Sequence, residues 1–399
     1  MKAKHLNIPE DKALYNSILK EINDTIVLDK KKANRYFLLK FAFYGSLSIV
    51  SYALLYVIEN PLLFVLNFVL FGFIAVLLCF NFAHDFSHHA IFKRAFWDNL
   101  GFEFIYTLVG AHPEAWKGRH LNSHHFAPNV EHFDTDLAIT GLIRVLPTSN
   151  LKWYHKYQHI YALFAYATYS FYWVCIKDFI VLSQSKHKDS ATKFKYYLVF
   201  YILKLFYVFY LLILPLLFSH QSGLVIFISF IAMHFVQSIY TLLTFFITHH
   251  VAESNYPVAD SNGLINTSWF KNQINSSNNF YPFSQIGNFI FGGVNNHIAH
   301  HLFPHISHYH YPEINVLLFR RLKENGITPS VTSYFGGIVS HLRLLKKMGN
   351  MDMKNASLII AIFFAGLSAA FSQIGYEIYE KDQFALPQKH VSVQPIRTW

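Results

Sequence analysis

Four long apolar runs, grouped in two pairs by short polar turns, set the pattern of this chain. Phe41 to Ile58 carries no charge, and after Glu59-Asn60-Pro61 a second uncharged run continues from Leu62 to Ala83. Each run approaches the ~20 residues needed to cross the hydrocarbon of a bilayer, and so short a joint forces the chain to reverse. The pattern predicts one transmembrane helical hairpin there. It predicts a second at Tyr196–Phe218 and Leu224–Thr248, around the turn Ser219-His220-Gln221-Ser222-Gly223. Neither turn contains Lys or Arg. The opposite flanks do: Lys30, Lys31, Lys32, Arg35 and Lys40 before the first hairpin, Lys93, Arg94, Lys117 and Arg119 after it, and Lys186, Lys188, Lys193 and Lys195 before the second. Positive-inside bias therefore faces the turns outward and the flanks toward the cytoplasm. Lys204, about two turns into the third run, is expected to snorkel toward its basic flank.

Ile160 to Ile176 is also apolar. If it spanned, the lysine-rich loop after it would move outside, so charge and parity place it along the interface or dipping into it. That leaves four crossings. Asn355 to Tyr376 is uncharged and reads either as a fifth crossing or as an interfacial helix, with Glu377–Trp399 as an irregular extension. Gln273 to Asn279 reads as a polar loop. The expected architecture is an all-α integral membrane protein in which two transmembrane hairpins lie under a cytoplasmic helical cap. Residues 1–38 form a cytoplasmic segment, 39–349 the membrane domain and 350–399 an apolar C-terminal extension.

Composition agrees. Of 399 residues 53% are apolar and only 14% are charged, against roughly 25% charged in soluble globular proteins. The net charge of +10 would suit a nucleic-acid binder only if it formed a stripe on a water-soluble fold. Here it sits between membrane-length segments, so no nucleic-acid partner is expected. Cys79 and Cys175 give neither a disulfide framework nor a zinc spacing. The N-terminal stretch lacks the apolar core of a signal peptide, and insertion is expected to rely on the first spanning helix. No nucleophile elbow or phosphate-binding glycine loop is present, and GGVNN from Gly292 lacks the dinucleotide spacing.

The candidate chemistry is histidine. NNHIAHHLFPHISHYH places six histidines between His297 and His310, and two earlier knots read HDFSHH from His84 and HLNSHH from His120. His84 and His88 are four apart, as are His120 and His124, with His125 adjacent. His297, His300 and His301 are three and four apart, so on helices each set shares one face. Neutral imidazoles suit borderline transition metals and avoid the desolvation cost of a carboxylate cage. A lone histidine here would be structural by default. Eight rings exceed one tetrahedral zinc site and suit two metals. His249-His250 closes the fourth run, and spacing does not choose between the rings. His89, His305, His308 and His310 remain supporting groups; His112, His132, His155 and His159 remain structural or surface groups. Asp85 and Glu253 are candidate orienters of imidazoles, while Asp134 and Asp136 divide evenly between that role and a helix cap.

These motifs resemble the three histidine boxes of the membrane fatty acid desaturases. HDFSHH corresponds to the first, WKGRHLNSHHFAPN to the second, with Trp116 and Asn129, and GGVNNHIAHHLFPHISHYHYPEI to the third. The resemblance covers about Asn34 to Gly349 and is nearest the linoleoyl-CoA and acyl-lipid desaturase branch. It implies two non-haem irons held by His84, His88, His120, His124, His125, His297, His300, His301 and His250. It selects His250 because His250-Val251-Ala252-Glu253 matches the family's His-x-x-Glu; Asn129, which follows the second motif, joins Asp85 and Glu253 as a candidate support. Phe246 stands where related enzymes have a water-holding asparagine. Other departures are His297 where many front-end members have Gln, Ala299 in place of Glu, and His89 in place of Gly.

The implied reaction is O2-dependent insertion of a double bond into a fatty acyl chain, as acyl-CoA or acyl-lipid. Electrons would come from an external ferredoxin or cytochrome with its reductase, at an active site facing the cytoplasm. A lipid or carotenoid hydroxylase of the same superfamily is the nearest alternative, and a histidine-rich metal transporter or sensor a more distant one. His234 and Gln237 fall inside a spanning segment without forming an ion path.

Overall fold

The computed structural model describes residues 3–137, 141–185 and 189–350; Asn355–Tyr376, the alternative fifth crossing, and the rest of the apolar extension lie outside them. In chain order the helices that position the site are α1 (Pro9–Thr25), α2 (Lys30–Leu54), α3 (Pro61–Ser87), α4 (Ala95–Leu108), α5 (Pro113–Arg119) and α6 (Gln158–Ala167). They are followed by α7 (Ser190–Phe218), α8 (Gly223–His249), α9 (Trp269–Asn275), α10 (Gln285–Phe291), α11 (His297–Leu302), α12 (Tyr311–Glu324) and α13 (Tyr334–Gly349). Strand content is slight. β1 (Lys4–His5) pairs in parallel with β2 (Leu264–Ile265), and β3 (Asn278–Phe280) with β4 (Ser330–Thr332).

Four of these helices, α2, α3, α7 and α8, are long and apolar enough to cross a membrane. Asp29 starts α2 well ahead of the uncharged run, because its Oδ1 accepts the amides of Lys31 at 2.9 Å and Lys32 at 3.0 Å. Asn60 caps α3 in the same way, with Pro61 at the first helical position. The 27 residues of α3 and of α8 rise ~40 Å each, more than the ~30 Å of hydrocarbon. Their C-terminal turns can therefore stand clear of the apolar layer, and both carry site histidines. The two helices pack along each other, and Gln237 of α8 donates to the Gly72 carbonyl of α3 at 2.9 Å. Large apolar side chains such as Leu62, Leu205 and Leu224 remain exposed on the outer faces, as lipid-facing positions require.

Ile160–Ile176 is not among the spans. It is a broken helix, α6 followed by short turns at Tyr169–Tyr172 and Trp173–Lys177, and it buries Ala162 and Tyr166 while exposing Ile160 and Phe164. Two lysines depart from expectation. Lys204 does not snorkel: its Nζ is buried and donates to Asp178 Oδ2 at 2.7 Å and to the carbonyls of Gly110 and Val174 at 2.6 and 2.7 Å. Lys40 is no flank anchor either, since it is buried with Nζ 3.1 Å from His308 Nε2. In each case a distant polar partner satisfies the charge better than the helix end could.

A separate core joins the N-terminal helix to elements that follow α8. Ile18 and Ile22 of α1 are buried in one core with Ile298 of α11 and Leu318 and Leu322 of α12. Gln273–Asn279 is not the expected loop. Ser268 caps α9, and Asn278 leads β3 with its amide donating to the Ile247 carbonyl at 2.7 Å and Thr332 Oγ1 at 3.0 Å. Gly292 ends α10 with φ +61°, and a Cβ there would lie 2.3 Å from the Phe80 carbonyl of α3. Only glycine lets α10 turn against that helix and direct the chain into α11.

Candidate metal centre

A π-turn at Cys79–Ala83 near the end of α3 adds a residue to the helical repeat and precedes His84 and His88. Asn81 steadies it, its amide donating to the carbonyls of Leu77 at 2.8 Å and Ile290 at 3.1 Å. A second π-turn, His120–His124, continues α5. The His125 amide donates to the His120 carbonyl at 3.0 Å, so residues five apart become neighbours. His120 and His124 still lie side by side, as their spacing predicts, with their rings stacked at 5.5 Å, but their outer neighbours differ. His120 lies beside His88 and His125, while His124 turns toward α8 and α11. In α11, His297 and His301 face one way and His300 the other.

Two sets of four buried rings result. His84, His88, His120 and His300 form one, and His124, His249, His297 and His301 the other; within each set one nitrogen per ring lies within 4.8 Å of all the others. In the second set His249 Nε2 stands 2.9 Å from His124 Nε2, 2.6 Å from His297 Nε2 and 3.2 Å from His301 Nε2. In the first, His88 Nε2 is 3.2 Å from His120 Nε2. His125 lies between the sets, its Nε2 3.2 Å from His120 Nε2 and 3.0 Å from His300 Nε2, with its ring stacked on His301 at 4.4 Å. Asp136 lies at the edge, with Oδ2 4.0 Å from His120 Nδ1.

The histidine at the end of α8 that faces this centre is His249, not the expected His250. The helix stops there: His250 has φ −121° and ψ 62°, outside helical values, so its ring leaves the helical face. Its Nδ1 is 3.1 Å from Tyr256 Oη, and its carbonyl accepts from His341 Nδ1 at 2.7 Å. Glu253 follows it away. That carboxylate is exposed and accepts from Ser340 Oγ at 2.7 Å, touching none of the clustered rings. Asp85 accepts from His308 Nδ1 at 2.8 Å rather than from a box histidine. Asn129, with φ +60°, acts through the backbone, its amide group donating to the carbonyls of His249 at 3.0 Å, Asn255 at 3.1 Å and Ser276 at 3.4 Å.

The groups that orient imidazoles directly are others. His124 Nδ1 donates to Asp134 Oδ2 at 3.1 Å, His249 Nδ1 to the Ser276 carbonyl at 2.8 Å, and His301 Nδ1 to Gln273 Oε1 at 2.8 Å. Trp116 stacks on His120 at 4.3 Å. Asp134 was legible as a candidate, whereas nothing in the sequence pattern singles out Gln273 or Ser276.

These bonds test whether a metal fits. Each of the three rings commits its Nδ1 proton outward, so in the neutral form each Nε2 presents a lone pair. The lone pairs converge at 2.6–3.2 Å on one another and on His297, an arrangement that acceptors alone cannot satisfy and a cation can. Burial, reinforced by neighbouring rings, holds His88, His120, His125, His297, His300 and His301 well below the ordinary histidine range, which keeps them neutral and free to coordinate. For His124 burial acts downward, but the Asp134 carboxylate outweighs it and raises the pKa, making this ring the most basic donor of its set. The residues fit two transition-metal ions.

Comparison with known proteins agrees with this geometry. Residues 60–332 match the family described as Fatty acid desaturase. The chain is 29% identical over 317 residues to an acyl-lipid (8-3)-desaturase of Physcomitrium patens, covering 76% of this chain and 64% of that protein. It is 28% identical over 287 residues to an sn-1 linoleoyl-lipid 6-desaturase of Arthrospira platensis, covering 71% and 77%. It is also 30% identical over 310 residues to Delta(5) fatty acid desaturase A of Dictyostelium discoideum, covering 71% and 64%. The matched region thus spans less than two thirds of the first and third of these relatives.

Proposed function

The chain belongs to the fatty acid desaturase family, and from that premise we propose that it inserts a double bond into a fatty acyl chain at a di-iron centre facing the cytoplasm. The observation that carries this reading is the pair of buried imidazole sets with converging Nε2 lone pairs. His84, His88, His120 and His300 would hold one iron, and His124, His249, His297 and His301 the other, with His125 between them. Reduced non-haem iron supplies the O2-dependent oxidation that an unactivated methylene requires and that acid–base chemistry cannot provide.

The protein's own contribution is to position and to exclude. Asp134, Gln273 and the Ser276 carbonyl fix the tautomers of three rings, so their Nε2 atoms point inward before any ligand arrives. Every ring of the two sets is buried, which keeps solvent from the reacting carbon and its oxidant. Phe245 packs on His124 and His249, and Trp116 on His120, so apolar surface meets the centre where an acyl chain has to lie. Each buried methylene contributes ~0.8 kcal/mol, and a long chain is anchored by its length. The names of the relatives favour an esterified acyl-lipid, with acyl-CoA as the other carrier. O2 is the co-substrate, and an external ferredoxin or cytochrome with its reductase is the electron source.

Expression in a host of known lipid composition, followed by mass spectrometry with double-bond location, tests the proposal. A new double bond with no label taken up from isotopic O2 is expected. A labelled alcohol would make the enzyme a hydroxylase, and unchanged lipids with stoichiometric iron would overturn the assignment. A second expectation concerns Asp134. Asp134→Asn keeps the shape of the site but weakens the acceptor for His124 Nδ1, so iron affinity should fall about 10- to 100-fold. Competition with a chelator measures this while circular dichroism checks that the helices persist; unchanged affinity would remove Asp134 from the site.

A further inference from the structure

Ligand rings hold a metal firmly when the backbone that carries them is already in place, because any ordering left until binding weakens affinity. Part of that backbone is tied down from a distance, by the N-terminal segment of residues 3–26.

The polar contacts of this segment fall in a few places. His5 lies in β1, which pairs with β2. Its Nε2 donates to the Phe126 carbonyl at 2.9 Å, its Nδ1 stands 3.3 Å from the Thr267 carbonyl, and its ring meets the Phe126 ring edge-on at 5.3 Å. Phe126 directly follows His125. Asp11 is buried, accepting from Ser268 Oγ at 2.6 Å and pairing with Lys271 Nζ at 3.1 Å. Ser268 caps α9. That helix brings Gln273 to His301 Nδ1 and leads into the Ser276 carbonyl that holds His249. Tyr15 Oη donates to the Leu302 carbonyl at 3.3 Å, and its ring stacks on Phe303 at 6.0 Å. Leu302 directly follows His301 and ends α11. Behind these bonds Ile18 and Ile22 are fully buried in one core with Ile298 and Leu302.

These contacts favour one of the two sets. Each ends either on the residue after a ligand ring or on the helix that supplies a ring's acceptor, and the rings so served are His301 and His249. The backbone of His84, His88 and His120 is set by other means, the two π-turns and the Asn81 amide. An apolar core alone resists separation of α1 from α11 but does little to fix their register. The directional bonds of His5, Asp11 and Tyr15 do fix it.

We propose that residues 3–26 form a strap that pre-positions the second set of rings, His124, His249, His297 and His301, with His5, Asp11 and Tyr15 as its positioning residues. Loosening the strap therefore loosens one metal position and spares the other. This inference rests on the reading of the two ring sets as metal positions.

The full chain, loaded with iron in detergent, is compared with His5→Leu/Tyr15→Phe. Tyr15→Phe removes one oxygen and keeps the ring stack, and His5→Leu removes the donor to Phe126. Excess chelator reads iron release, and Mössbauer spectra of isotope-enriched protein follow the two irons separately. In the variant one iron of the two should leave about tenfold faster than in wild type, the lower end of the loss found when support around a metal is removed, with the other unchanged. His5→Gln, which keeps an N–H donor, should release both irons at the wild-type rate. If the double variant does not fold, Tyr15→Phe alone should show the same selectivity at about threefold, the effect of one hydrogen bond. Release of both irons within about twofold of wild type, well short of the loss of a supporting contact, overturns the proposal. So does equal acceleration of both, which would make the segment a general stabiliser. If wild-type protein binds no iron, the metal reading fails instead, and hydrogen exchange on the metal-free chain decides the strap. Backbone amides of residues 269–276 and 297–303 should then exchange about tenfold faster in the variant with those of α3 unchanged, and equal exchange in variant and wild type overturns the strap as well.

Discussion

His249→Ala is expected to empty one of the two metal positions and abolish turnover, while the adjacent His250→Ala keeps both. The two rings are neighbours in sequence and both are buried, so burial does not separate them. Their bonds do. His249 Nε2 meets three other imidazole nitrogens at 2.6–3.2 Å, and its Nδ1 proton is held by the Ser276 carbonyl. His250 spends its Nδ1 on Tyr256 Oη and stacks on that ring. Loss of a supporting hydrogen bond around a metal typically costs 10- to 100-fold in affinity, so loss of a ligand should cost at least about 100-fold. Iron content of His249→Ala should fall toward half, with no measurable product. His250→Ala should retain iron and most activity, and lose about 1–3 kcal/mol of stability through the vacated volume and the unpaired tyrosine. Iron analysis beside a thermal melt reads both outcomes. The reverse pattern, with iron lost from His250→Ala and retained in His249→Ala, would mean that α8 ends one residue later than described.

That pair shows where sequence reasoning stops. The four crossings were legible because a bilayer imposes a length and forbids charge, and both constraints act locally. The three histidine boxes were legible because ligand spacing is local as well. The choice at His249-His250 depends on where a helix ends, a matter of φ and ψ at a single residue, and the His-x-x-Glu pattern selects His250 whereas the ring grouped with the others is His249. The π-turn at His120–His124 is equally invisible to helix-face arithmetic: the two rings stay stacked at 5.5 Å, as spacing predicts, yet in the four-ring sets His120 and His124 fall apart. Lys40 and Lys204 were misplaced for another reason. A lysine near a helix end reads as an anchor unless its partner is known, and these partners, His308 and Asp178, are remote in sequence. Gln273 and Ser276 carry no signal because a glutamine side chain and a backbone carbonyl are too common to mark a site. Which aromatic ring meets which imidazole, as Trp116 does His120, is decided by packing.

The Lys204–Asp178 pair leads to the second large effect. Asp178 Oδ2 accepts from Lys204 Nζ at 2.7 Å and from the His112 amide at 2.8 Å, and Oδ1 accepts from Trp173 Nε1 at 2.9 Å. One carboxylate thereby ties α7 to the broken helix and to the segment that leads into α5 and the second histidine box. Removing one partner of a buried pair leaves an uncompensated charge and typically costs 3–5 kcal/mol. The two removals are not equivalent. Asp178→Ala leaves the lysine with two carbonyls and orphans two further N–H donors, whereas Lys204→Met leaves a carboxylate that still accepts two hydrogen bonds. Asp178→Ala should therefore cost about 3–5 kcal/mol, with Lys204→Met the milder change, and the double variant should cost less than the sum of the singles because the two groups share one network. Since His112 also caps α5, its side-chain nitrogen accepting the Ala115 amide at 3.4 Å, Asp178→Ala should loosen the helix that presents Trp116 and His120 and lower iron occupancy of the first set. Lys204→Met should leave that occupancy intact. Melting in detergent together with iron content separates the cases. If the two single variants lose equal stability and equal iron, the carboxylate serves only as the lysine's counter-ion, and its link to the second histidine box is refuted.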